Sequence, residues 1–218
     1  SSANKELFGL NEDLQQKTDD LDQSNQELIV EAALERVRGK AQGMQESKDL
    51  WEVSKALSEE FRRLEIPHYI STIVIMDEEQ DAIEWRPTSD ILIDGYQAEM
   101  KMAMEGGLPF LRGSLKANLE SNPEIIEASK AQERGESFYK LEESREERVE
   151  RMQRTDCLWT LPDGNKLSDV RDPEQARDGV PERSFRYWIF NGYGNLMLQT
   201  EEALSEADVA VAKRVSDL

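Results

Sequence analysis

The chain has 218 residues, 38% of them hydrophobic and 33% charged, which suits one ordinary domain plus an extended, solvent-washed element. Its 27 basic and 46 acidic side chains leave a formal net charge of −19, a surface that repels nucleic acid and anionic lipid. With one cysteine, Cys157, an intrachain disulfide is excluded and a reducing, cytoplasmic setting is expected. No apolar run reaches the roughly 20 residues needed to cross a bilayer, so no membrane contact is expected of this segment. The polar start without Met and the ending at Asp217-Leu218 read as a piece of a longer protein.

Leu7, Leu14, Leu21 and Leu28 recur every seven residues. With these at heptad d, position a holds Asn4, Asn11, Thr18, Asn25 and Ala32. Leucine at d with asparagine at a suits a parallel, two-stranded coiled coil, because a buried Asn pairs best with its twin across a dimer axis. Three Asn make a weak seam. After Leu28 the apolar set becomes Val30, Leu34, Val37, Ala41 and Met44, a phase break expected to alter the supercoil. The expected partner is a second copy, through an interface of Leu7, Asn11, Leu14, Leu21, Asn25, Leu28, Leu34 and Val37. Residues 1–46 are thus a dimerisation and signalling helix, and 47–218 a globular domain.

Within the domain, Ser47 is a plausible N-cap, and Leu50, Val53, Leu57, Phe61 and Leu64 form one helical stripe that Pro67 ends. The β-branched run His68–Met76 predicts a central strand. A turn at Asp77–Asp81 returns the chain through Ala82–Arg86, with Ile83 and Trp85 on one face. Tyr96, Ala98, Met100, Met102 and Met104 alternate with polar residues, predicting a strand against helical propensity. Helices are expected at Leu108–Glu120, Pro123–Arg134 and Ser144–Arg154, with a short strand at Ser137–Leu141. Asp163–Glu182, rich in Asp, Gly and Pro, reads as a long loop. Phe185–Phe190 and Asn195–Thr200 form a hairpin across Asn191-Gly192-Tyr193-Gly194. Ser205 and Asp208 form a capping box, and Val209, Ala212 and Val215 the inner face of a last helix. Hairpins at both ends with flanking helices predict an α+β fold on a mainly antiparallel sheet.

No motif carries catalysis. His68 is the only histidine, so a His-based zinc site is excluded and no nucleophile–base pair is signalled. The Gly-Gly and Asn-Gly turns do not match a phosphate loop. The acidic clusters Asp77–Asp81 and Asp169–Asp178 lack calcium-loop spacing and read as solvated turns. No metal site is expected, and no cofactor is indicated. The aromatic and Met residues near the strands read first as core. A subset, Trp85, Tyr96, Met100, Tyr139, Trp159 and Tyr187, is the candidate wall of a small-molecule pocket between the sheet and the middle helices.

The stretches EAALERVRGKAQGMQESKDLWEVSKALSEEFRRLEI (Glu31–Ile66) and IFNGYGNLMLQTEEALSEADVAVAKRV (Ile189–Val215), with the hairpin at His68–Arg86, resemble the entry and exit of GAF-type domains in bacterial multidomain signalling proteins. The resemblance spans about residues 31–218 and is loose from Ile91 to Glu182. It implies a GAF-like, six-stranded antiparallel sheet with helices on both sides, following a long coiled-coil helix. One helical layer would lie at a dimer axis, and the middle of the chain would roof a ligand pocket. It further implies an output domain, histidine kinase or nucleotide cyclase, outside this chain. In the relatives a Ser-His-Gly-type turn occupies the place of Asn191–Gly194, so no role of that histidine carries over. The expected function is a non-catalytic sensor or relay, the alternative a ligand-free dimerisation spacer, with an enzyme less favoured than either.

Overall fold

A computed structural model describes residues 2–44, 50–89, 111–155, 160, 180–191 and 194–218. Among them are six helices, α1 (Ser2–Gln42), α2 (Leu50–Arg63), α3 (Leu115–Ser121), α4 (Pro123–Glu133), α5 (Arg145–Thr155) and α6 (Glu206–Ser216). Six strands, β1 (Ile70–Asp77), β2 (Ala82–Ser89), β3 (Leu111–Ser114), β4 (Phe138–Ser144), β5 (Arg183–Phe190) and β6 (Asn195–Thr200), form one sheet in the order β3-β2-β1-β6-β5-β4. Every pairing is antiparallel. The fold is α+β, with a six-stranded antiparallel sheet, helices on both faces and a long N-terminal helix.

Alternation along the strands divides the core. Ile73 of β1, Phe185, Tyr187 and Ile189 of β5, and Leu196 and Leu198 of β6 meet α1, α2 and α6. Val74, Ile83, Trp188, Phe190 and Met197 point the other way and meet Leu115 of α3 and Ile125, Ala128 and Ala131 of α4. Chain-terminal helices therefore cover one face and middle helices the other.

Local chemistry fixes several boundaries. Ser205 and Asp208 make the expected capping box at α6. Ser144 and Glu147 make an unexpected one at α5, where Ser144 N–H donates to Glu147 Oε2 at 2.8 Å and Glu147 N–H to Ser144 Oγ at 3.3 Å. Asp81, at a φ of 48° in the β1–β2 turn, reaches across to α3. Its carboxylate accepts from Ser114 Oγ and Lys116 N, both at 2.7 Å. The acidic turn thus has one member committed to capping a helix, and the Ser114 bond and the Lys116 amide hold that carboxyl below its usual range. A Cβ on Gly194 would lie 2.6 Å from the Val74 carbonyl, so glycine lets the β5–β6 turn press on β1.

The expected helix at Leu108–Glu120 is corrected. Leu111–Ser114 is edge strand β3, pairing with Trp85–Ala82 of β2, and the helix starts only at Leu115. Backbone pairing to an open sheet edge outweighs helix propensity here, and Ser114 serves as the N-cap. The expected strand at Tyr96–Met104, Ser47, Cys157 and the 163–179 part of the expected loop lie outside the described residues.

Candidate functional site

Helix α1 carries two seams. From Leu7 to Leu28 the heptad leucines are exposed, Leu21 64% and Leu28 67%. Asn11, Thr18 and Asn25 are likewise exposed. Phe8, Leu10 and Ile29 widen the exposed apolar set beside them. From Val30 onward the helix buries Val30, Ala33, Leu34 and Val37. Val30, Leu34 and Val37 pack with Val53, Leu57 and Phe61 of α2 and with Ala212 and Val215 of α6. At about 100° per residue this second set lies roughly opposite Leu28.

The apparent phase break is therefore a change of direction. The leucine stripe faces away from the chain's own domain, while the later stripe faces into it. Leu34 and Val37, expected at the dimer seam, are 4% and 1% exposed inside the protomer, and side chains so enclosed have no surface left for a partner. The last turns of α1 belong to the globular core.

Ion pairs tie α1 to its neighbours. Arg36 makes a forked pair with Glu60 of α2, at 2.8 and 2.7 Å. Glu60 is buried and also meets Arg63. Arg214 of α6 reaches Glu27 at 3.0 Å and Glu31 at 2.6 Å. Between these helices and the ends of β1 and β6 lies a cavity of about 290 Å³, lined mostly by apolar side chains including Val37, Ala41, Leu57 and Ile73.

The middle-helix face has an apolar half and a polar half. In the apolar half Trp85 and Trp188 meet edge to face, ring centroids 5.9 Å apart, and Tyr139 packs against the same cluster. Burial, then Glu127 and Glu124, raise the Tyr139 phenol above its ordinary value. In the polar half Arg186 of β5, Glu143 of β4, Glu124 of α4 and Arg148 and Arg151 of α5 are all buried. Arg151 grips Glu143 at 2.7 and 3.1 Å, and Arg186 reaches Glu143 at 3.1 Å. Arg148 donates to the Tyr69 hydroxyl and lies over its ring, 5.1 Å from the centroid.

Of the candidate wall residues, Trp85 and Tyr139 share the middle-helix face. Tyr187 lies on the opposite one, where its hydroxyl accepts from Leu204 N–H at 2.9 Å. Strand parity explains this: Trp188, next in sequence, takes the middle-facing position. Tyr96, Met100 and Trp159 lie outside the described residues. The buried arginine cluster escaped the sequence reading because Arg148 and Arg151 sit in a helix so charged (REERVERMQRT) that it reads as solvated. Arg186 inside the otherwise apolar and aromatic run FRYWIF was the available signal.

His68 is also structural. Its Nδ1 lies 2.9 Å from the Ile66 carbonyl and its Nε2 3.2 Å from Ser58 Oγ. Burial pushes the imidazole below its ordinary value, the Ile66 carbonyl pulls it back, and Arg62 pushes the same way as burial. Among the described residues no group of three His, Cys, Asp or Glu side chains is placed to hold a metal ion, and no helix is long and apolar enough to cross a membrane. Comparison with protein-family models, with curated proteins and with solved structures finds no match to this chain.

Proposed function

We infer that this chain is a non-catalytic, dimeric signalling module, a GAF-like sensor domain entered by a parallel coiled coil. One observation carries the reading. A single helix presents an unpartnered leucine stripe over Leu7–Leu28 and then buries its opposite side in the domain core. A helix exposed over some 20 residues with three Asn at its seam is marginal alone in water, and a second copy completes it. The same rigid element then delivers any shift of the seam to the sheet, and through Arg214 to α6, from which an output domain of kinase or cyclase type would be driven. Acidity disfavours nucleic acid as a partner, and the single cysteine favours a cytoplasmic setting.

A ligand acts in such a device only through unequal affinity for two helix arrangements, and the middle-helix face is where we place it. The spacer reading has its own support, since Ile83, Trp188 and Met197 fill the apolar half of that face with no exposed surface. Light scattering on the intact chain tests the proposal. At tens of micromolar it should return twice the chain mass of 25.0 kDa, and a monomer mass would overturn it.

A further inference from the structure

Close packing leaves few voids larger than a water molecule inside a domain. The terminal-helix side nevertheless keeps one of about 290 Å³. Ile73 and Ile75 of β1, Ala41 of α1, Leu50 of α2 and Ser216 of α6 are among the residues that line it. All five are only half-buried. Apolar surface of the sheet and of two helices is thus turned towards a space that the described side chains leave unfilled.

Among the described residues no charged side chain lines the cavity, in a chain 33% charged. Its polar side chains are engaged with the protein. Asn191 Nδ2 donates to the Ser216 carbonyl at 2.9 Å, and Asn191 Oδ1 accepts from Gly194 N–H at 2.8 Å. Ser216 Oγ donates to the Lys213 carbonyl at 2.9 Å. Asn195 shares the parity of Met197 along β6, which turns its side chain and its unpartnered Oδ1 to the other face of the sheet. What remains for an occupant is chiefly apolar contact. A second copy is not placed to supply it, because Ala41 lies about 220° around α1 from Leu28, and the leucine stripe leads a partner away from this side.

We propose that this cavity binds a small, uncharged apolar molecule, the size of a fused two-ring aromatic. An apolar cavity of about 150 Å³ takes benzene, and one of about 290 Å³ has room for a further ring. A charged head entering it loses its water and meets no counter-charge on the lining side chains. The formal net charge of −19 opposes an anion further. The occupant touches α1, α2 and α6 at once, and so bears directly on the helix that carries the leucine stripe. This is a second place for a ligand, separate from the middle-helix face.

The site lies within one protomer, so only its use in a relay rests on the dimeric reading. A dimer without a response to the probe loses this site and leaves the dimeric module standing. The test is thermal unfolding of the whole chain at neutral pH, with indole as the probe. Millimolar indole should give a saturable rise in Tm, and indole-3-carboxylate at the same concentration should give none. Ala41→Phe and Ser216→Phe fill the space from two different helices, and each should weaken the apparent affinity for indole at least about tenfold. Ala41→Ser, which keeps the space, should retain the response. If one filling variant does not fold, the other decides, and the comparison of the two probes needs neither. No saturable rise with indole, an equal rise with the carboxylate, or a rise that survives filling overturns the proposal. So does a filling variant that changes the mass in light scattering, because a second copy would then occupy the cavity.

Discussion

Leu21→Asp should turn the dimer into a monomer across the micromolar range. Leu21 is 64% exposed in the protomer, so the substitution removes little packing within the chain. In the proposed paired coil it sits at the third of four d positions, and two aspartates would face each other with no cation between them. An uncompensated charge in such a seam costs about 3–5 kcal/mol, or more than about a hundredfold in the dimer constant. The asparagines at Asn11 and Asn25 leave little stability in reserve. Gln16→Glu, at the outer f position, adds the same charge and should leave the mass unchanged. Light scattering over a concentration series separates the two. A dimer that survives Leu21→Asp would place its interface elsewhere.

Trp188→Ala should lower unfolding stability by about 3–5 kcal/mol. The indole has no exposed surface and stacks edge-on against Trp85. It sits beside Phe190 and Met197 under Ile125 and Ala128 of α4, where a cavity would have little room to collapse. Trp188→Phe should cost less than about 2 kcal/mol, because it keeps most of the ring and discards an N–H that has no partner. Urea unfolding of the two variants reads the contrast. A loss below about 1 kcal/mol for the alanine variant would show that the face is looser than its packing implies.

Where one strong local signal ruled, the sequence was enough. The hairpin of β5 and β6, the capping box at Ser205, and the stripe Leu50–Leu64 all appear as read, because each depends on neighbours within a few residues. Errors arose where tertiary contacts choose between local options. Leu111–Ser114 became a strand because β2 offered it an edge. Leu34 and Val37 shared apolar character with the leucine stripe but not its direction, and the period alone did not say which side of α1 the domain core would bury. Tyr187 and Trp188 are adjacent aromatics, and only register decides which one faces the middle helices. For the polar cluster the obstacle was energetic. A charged residue is normally solvated, and Arg151 and Arg186 are buried through Glu124 and Glu143, which lie far from them in sequence or on other elements.

The central claim is that α1 pairs in parallel, in register, through its leucine stripe. Disulfide trapping tests it directly. In a Cys157→Ser background, Asn25→Cys places a thiol at an a position, where a parallel two-stranded coil brings each residue beside its own counterpart. Mild oxidation should give a rapid, near-complete covalent dimer from Asn25→Cys and little from Gln16→Cys on the outer face. Equal, slow trapping at both positions, or trapping at Asn25→Cys only with a cysteine far along the partner helix, would contradict the parallel dimer and the relay built on it.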